Sequence, residues 1–104
     1  MIRVIVSYPN QAGSRFDMDY YLNKHIPLVE EKLAPHGLTG VGIEQGLAGG
    51  MPGSPAKYQI EAYMTFSTIE QVQAAMGAAA PSLMADLANF TDVPPEIQIS
   101  KVIR

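Results

Sequence analysis

Residues 58–66 read YQIEAYMTF, and their alternation decides the fold. Tyr58, Ile60, Ala62, Met64 and Phe66 fall on one side of an extended strand, and Gln59, Glu61, Tyr63 and Thr65 on the other. One side therefore packs on a neighbouring layer. The chain then changes period. Ser67 and Glu70 have the spacing of a capping box, and Ile69, Val72 and Met76 form the apolar stripe of a helix. The alanine run to Ala80 favours helix, whereas Pro81 predicts a break or a fresh first turn, with Ser82–Leu87 adding a turn or two.

Working outward, Ile2–Tyr8 reads as the first strand, with Ile2, Val4, Val6 and Tyr8 on one face and Ile5 on the other. A polar connection, PNQAGS at 9–14, leads to FDMDYYLNKHIPLV at 16–29. Asp17 can cap this helix, and Met18, Tyr21, Leu22, His25, Leu28, Val29 and Leu33 form its apolar stripe. Pro27 has no N–H and its ring meets the carbonyl of Asn23, which predicts one bent helix or two short ones. Pro35-His36-Gly37 ends it. A thin second strand follows over 38–45, where Gly40, Gly42 and Gly46 predict a bend or the close approach of another backbone. GLAGGMPGSPA at 46–56 is a loop, and Ile97–Ile103 is the last strand.

The order β-α-β-β-α-β with right-handed crossovers gives an α+β, ferredoxin-like domain: a four-stranded antiparallel sheet with both helices on one face. A chain of 104 residues is one domain, 1–104, with a small core and no cysteine to staple it. Ile5 and Val102 oppose the richer rows of the first and last strands, so two subunits packing sheet against sheet is the expected assembly, a homodimer. Net charge is −3, and the seven basic residues are scattered, which argues against nucleic acid. The strand at the N-terminus lacks the apolar stretch of a signal peptide, and no run of about twenty apolar residues could cross a membrane, so a cytoplasmic protein is expected.

The segments VSYPN (6–10), SRFDMDYYLNKHIPLV (14–29), GLAGG (46–50) and NFTDVPPEIQIS (89–100) together resemble the ethyl tert-butyl ether degradation (EthD) family of dimeric α+β-barrel proteins. The resemblance covers nearly the whole chain. It implies a pocket between sheet and helices, a role beside ether oxidation, and kinship with cofactor-free monooxygenases, dehydratases and lactone isomerases. By that resemblance His25 matches the family's first-helix histidine, and Tyr21 and Phe16 its aromatic positions.

Chemistry in the residues themselves centres on His25, a neutral acid–base group four residues from Tyr21 on the same helix face. His25 and Tyr21 are the candidate catalytic pair, with Phe16, Tyr20 and Tyr63 as candidate pocket residues. Alternatively, His25 bonds a backbone carbonyl freed by Pro27. His36 reads as a helix-end or solvated residue. Two histidines without cysteine make poor metal ligands, and GLAGG lacks the features of a nucleotide loop, so no metal or cofactor is expected. Glu44 and Glu61 are candidates for a carboxylate pair across adjacent strands. The leading functional expectation is a homodimer that binds a small apolar oxygenated compound in oxidative catabolism. The alternatives are a cofactor-independent oxidoreductase, dehydratase or isomerase using His25, and a structural dimer. A pocket closing on His25 and a tyrosine hydroxyl favours the enzyme; a purely apolar pocket favours binding.

Overall fold

The structure, a computed structural model, describes residues 1–104. Strand β1 (Ile2–Pro9) leads to helix α1 (Met18–Tyr20), a single π turn (Tyr21–His25) and helix α2 (Ile26–Leu33), which together form one bent helix. A 3₁₀ turn at Ala34–His36 precedes strands β2 (Gly40–Gln45) and β3 (Tyr58–Phe66). Helix α3 (Ile69–Asp86), a second 3₁₀ turn (Leu87–Asn89) and strand β4 (Glu96–Lys101) complete the chain. The sheet order is β2-β3-β1-β4, every pair antiparallel, which is the ferredoxin-like α+β arrangement expected.

Register follows from the alternation. Val4 lies opposite Met64 and Ile99, and Val6 opposite Ala62 and Ile97, so the apolar rows of β1, β3 and β4 share one face of the sheet, with that of β4 partly exposed at the edge. One part of the core joins Val4, Met64 and Phe66 to Leu33 of α2 and Val72, Ala75 and Ala79 of α3. A second, more aromatic part gathers Tyr8, Tyr21, Ile60 and Phe90.

Helix α3 departs from expectation at two points. The cap of α3 is Thr68, whose side chain accepts from the Gln71 N–H at 3.2 Å while Gln71 Oε1 accepts from the Ser67 and Thr68 N–H groups. Both Ser67-Glu70 and Thr68-Gln71 fit the pattern, and the extended backbone falls at Thr68. Helix α3 also runs unbroken through Pro81. The carbonyl that proline would strike belongs to Gly77, on an exposed and open stretch of the helix, so α3 absorbs the misfit without ending.

The glycines in and just after β2 serve separate ends. A Cβ on Gly46 would lie 2.0 Å from the Tyr58 carbonyl oxygen, so here a backbone does approach closely. Gly42 instead lies beside Tyr63, whose ring its absent side chain leaves uncovered. At the far end of β3 the register slips between Tyr8 and Pro9. Tyr58, which alternation places under the helices, turns to the bare face and donates to Glu96 at 2.9 Å.

Candidate active site

The bend of the first helix positions the site. The Ile26 N–H bonds the Tyr21 carbonyl, a five-residue step, and Pro27 starts α2 where no N–H is needed. This π turn lays the rings of Tyr21 and His25 nearly parallel, 5.8 Å apart with an 18° interplanar angle. Phe90 packs against both rings, its centroid 4.5 Å from that of His25 and 5.2 Å from that of Tyr21. His25 is 5 % exposed.

A clasp fixes Phe90. The Asp17 N–H bonds the Phe90 carbonyl at 2.7 Å, the Thr91 hydroxyl donates to the Arg15 carbonyl at 2.8 Å, and the Arg15 guanidinium donates to the Ala88 carbonyl at 2.7 Å. The Arg15 N–H adds a bond to the Asp92 carboxylate at 2.8 Å. The segments on either side of the site are thereby tied together.

At the end of α3, Asp86 meets His25, with Nδ1 and Oδ2 2.9 Å apart. Its other oxygen accepts from the Tyr20 hydroxyl at 2.7 Å and the Asn89 amide at 2.9 Å. Burial pushes the Asp86 carboxyl upward, but the hydrogen bonds from His25, Tyr20 and Asn89 outweigh it and hold the group below its ordinary value. Conversely, donating to this carboxylate raises the Tyr20 phenol. An ionised carboxylate only accepts, so Nδ1 carries the proton. In the neutral imidazole Nε2 is then a free acceptor. No protein group bonds it.

His25 forms part of the wall of a cavity of about 60 Å³ between sheet and helices, room for roughly four water-sized groups. Fourteen of its sixteen lining residues are hydrophobic. The polar side-chain atoms in this wall come from His25, Tyr8 and Tyr21 alone, against Val6, Val29, Met64, Met84, Leu87 and other hydrocarbon or thioether groups. Both phenols are raised well above their ordinary value, Tyr21 by burial and Tyr8 by burial and then by the nearness of Tyr21, so both stay protonated. The Tyr21 hydroxyl is sealed from solvent and has no partner in the protein.

His25 and Tyr21 thus come together in the cavity wall. Tyr20 does not line it, because its hydroxyl is turned to Asp86. Phe16 packs edge-on against Tyr8, Tyr21 and Phe90 at 5.0–5.4 Å and supports the wall from behind. Tyr63 lies on the opposite face of the sheet, donating to Glu44 at 2.9 Å, as the strand's own alternation requires; its placement in the pocket is corrected. Glu44 and Glu61 do pair across β2 and β3, but on that same bare face, far from a dry cleft. His36 sits half-buried in the 3₁₀ turn and does not line the cavity. No three His, Asp or Glu side chains gather as a metal site would require, and no helix is long and apolar enough to cross a membrane.

Asp86, Asn89 and Tyr8 were missed in the sequence. The signal for Asp86 was present: it is the sole charged residue between Glu70 and Asp92. Tyr8 shares the parity of Val4 and Val6 and so had to face the helices.

The EthD domain model matches residues 13–94. The structure is similar to that of an EthD-like protein from Ralstonia eutropha JMP134, with 35% identity, a TM-score of 0.90, and coverage of 99% of this chain and 92% of that one. It is also similar to an ethyl tert-butyl ether degradation (EthD) family protein from Bacillus halodurans C-125, with 21% identity and a TM-score of 0.75 over 99% of both chains. The fold alone is shared with a candidate antibiotic biosynthesis monooxygenase from Nitrosomonas europaea, at 15% identity and a TM-score of 0.61 over 100% of both chains. No curated protein matches the chain. With the domain model spanning the helix that carries His25, most of the cavity wall and the Asp86 partner, this chain belongs to the EthD domain family.

Proposed function

We propose that this EthD-domain protein binds a small apolar oxygenated compound between sheet and helices and acts on it by cofactor-free acid–base chemistry. His25 Nε2 is the proton acceptor and Asp86 the residue that holds its tautomer. One observation carries the reading: a buried histidine bonded through Nδ1 to an ionised carboxylate, its other nitrogen unpartnered beside an apolar cavity. A group whose only task was to tie off a helix end would bond a carbonyl freed by Pro27, and His25 bonds Asp86 instead. The apolar wall and the ether-degradation name of a structural relative support a place in oxidative catabolism. Two copies of the chain pair in this proposal, since one face of the sheet is left without a covering layer.

Binding alone is the second reading, favoured by the predominance of hydrocarbon in the wall. A panel of small ketones, esters, lactones and hydroxy-ethers incubated with wild type, H25A and H36A, followed by NMR, separates the two. Conversion by wild type and H36A, reduced about 10²–10⁴-fold in a folded H25A, is the expected result. Equal conversion by H25A would sink the acid–base reading. A compound held unchanged, with equal affinity in wild type and H25A, would leave binding as the function.

A further inference from the structure

The Tyr21 hydroxyl stands out among the groups the site leaves over. It is a donor with no partner in the protein, its residue 1 % exposed, and it is the one polar side-chain atom of the wall that is both fully buried and unbonded. Leaving such a group without an acceptor is costly, so its retention asks for an acceptor the folded chain does not supply. That acceptor must be compatible with a cavity of hydrocarbon and must lie near His25, whose ring stacks on the Tyr21 ring. A carboxylate or phosphate would enter a cavity holding no cation, since no Lys or Arg lines it. A neutral carbonyl oxygen meets both demands.

Resting on the proposed acid–base reading, we propose that the substrate class is an enolisable carbonyl compound, neutral and largely hydrocarbon, with its oxygen on the Tyr21 hydroxyl and its α-carbon at His25 Nε2. Nε2 takes the α-proton. The C–H electron pair becomes the new carbon–carbon π bond, and the carbonyl π pair moves onto oxygen. The developing negative charge there is met by the Tyr21 O–H, which stays a donor because its phenol resists ionisation. The proton on Nε2 trades with solvent, and delivery of the solvent-derived proton to the same carbon completes exchange; delivery to the far carbon of a conjugated relative isomerises it. Neither outcome consumes an oxidant or a reductant. The carboxylate of Asp86 stabilises the imidazolium formed between the two transfers.

Cyclopentanone tests this in D₂O, with α-proton exchange followed by ¹H NMR and the ¹³C shift of bound, carbonyl-labelled ketone read in parallel. Wild type is expected to accelerate exchange above the buffer rate and to move the carbonyl resonance downfield. Y21F is expected to lose exchange about 10²–10³-fold and the downfield shift with it. Its melting temperature should hold or rise, because the variant removes a hydroxyl that had no partner. Exchange and shift in Y21F equal to wild type, while H25A loses exchange, would overturn the carbonyl assignment and leave His25 as the base. Exchange undiminished in H25A would overturn the acid–base reading itself. No acceleration by wild type would overturn the substrate class, with conversion of the wider panel still deciding the role of His25.

Discussion

Asp86 determines which nitrogen of His25 is available, and a single atom exchange would reverse that choice. Tyr20 and Asn89 both donate to Oδ1, whereas His25 meets Oδ2. In D86N the amide oxygen would stay with those two donors, and the NH₂ group would turn to His25. Nδ1 would then have to accept, the proton would move to Nε2, and the base would be lost with almost no change of shape. We expect D86N to lower turnover about 10²–10⁴-fold. Ring ¹⁵N shifts should report the exchanged tautomer; full turnover with that tautomer would show that Nε2 is not the base. His25 was legible in the sequence because Pro27 and Tyr21 are local. Its partner, 61 residues away, was not. Helical periodicity describes which face a residue joins, and Asp86 is recognised only when α3 is laid against the first helix.

At the scale of elements, the strands were the most readable because alternation is short-range. β3 spans Tyr58–Phe66 as its pattern foretold, while the register slip at Pro9 that turns Tyr58 outward has no signature in that pattern. Helices were legible in their stripes and less so at their prolines. Pro27 produces a π turn, which stacks Tyr21 on His25, and Pro81 produces no break at all. Continuity through Pro81 matters to the site, since an interrupted α3 would not carry Asp86 to His25. The stretch that tolerates the proline includes Gly77, where an added Cβ meets nothing within 4 Å. Glycine in a helix interior costs about 0.5–1 kcal/mol relative to alanine. G77A is therefore expected to raise stability by about that amount in urea unfolding, with the slope of the transition unchanged. A loss of stability would show that the Gly77 backbone departs from helical geometry to make room for Pro81.

For the whole molecule, the decisive feature is the uncovered face of the sheet. Sequence parity suggested an apolar surface there, but the face is mixed. A row of Glu44, Glu61, Ser7 and Glu96 crosses all four strands. Each glutamate already accepts a bond from its own chain: Tyr63 to Glu44, Ser7 to Glu61 and Tyr58 to Glu96. Those internal bonds lower the cost of covering the row, because fewer lone pairs are left unmet. Next to it lie Ile5 and the Tyr63 ring, with the Arg3 guanidinium 5.3 Å from that ring and glycines at 40 and 42 that keep the surface low. Exposed aliphatic surface is found instead along β4, where Ile97 and Ile99 are 43% and 46% exposed because the helices do not reach this edge. A sheet-to-sheet homodimer would place Ile5 near its centre, and burial there tolerates a charge poorly. Sedimentation of the wild type at micromolar concentration is expected to give twice 11.2 kDa, about 22 kDa. I5R should yield the 11.2 kDa species, because its long side chain holds two closely packed sheets apart and the nearby glutamates already accept bonds from their own chain, while the fold is retained because Ile5 is only half-buried. A wild-type protein that sediments at 11.2 kDa would end the pairing proposal. A dimer that survives I5R and dissociates in I99D would move the contact to the β4 edge, where unpaired backbone groups and the exposed isoleucines would then supply the attraction.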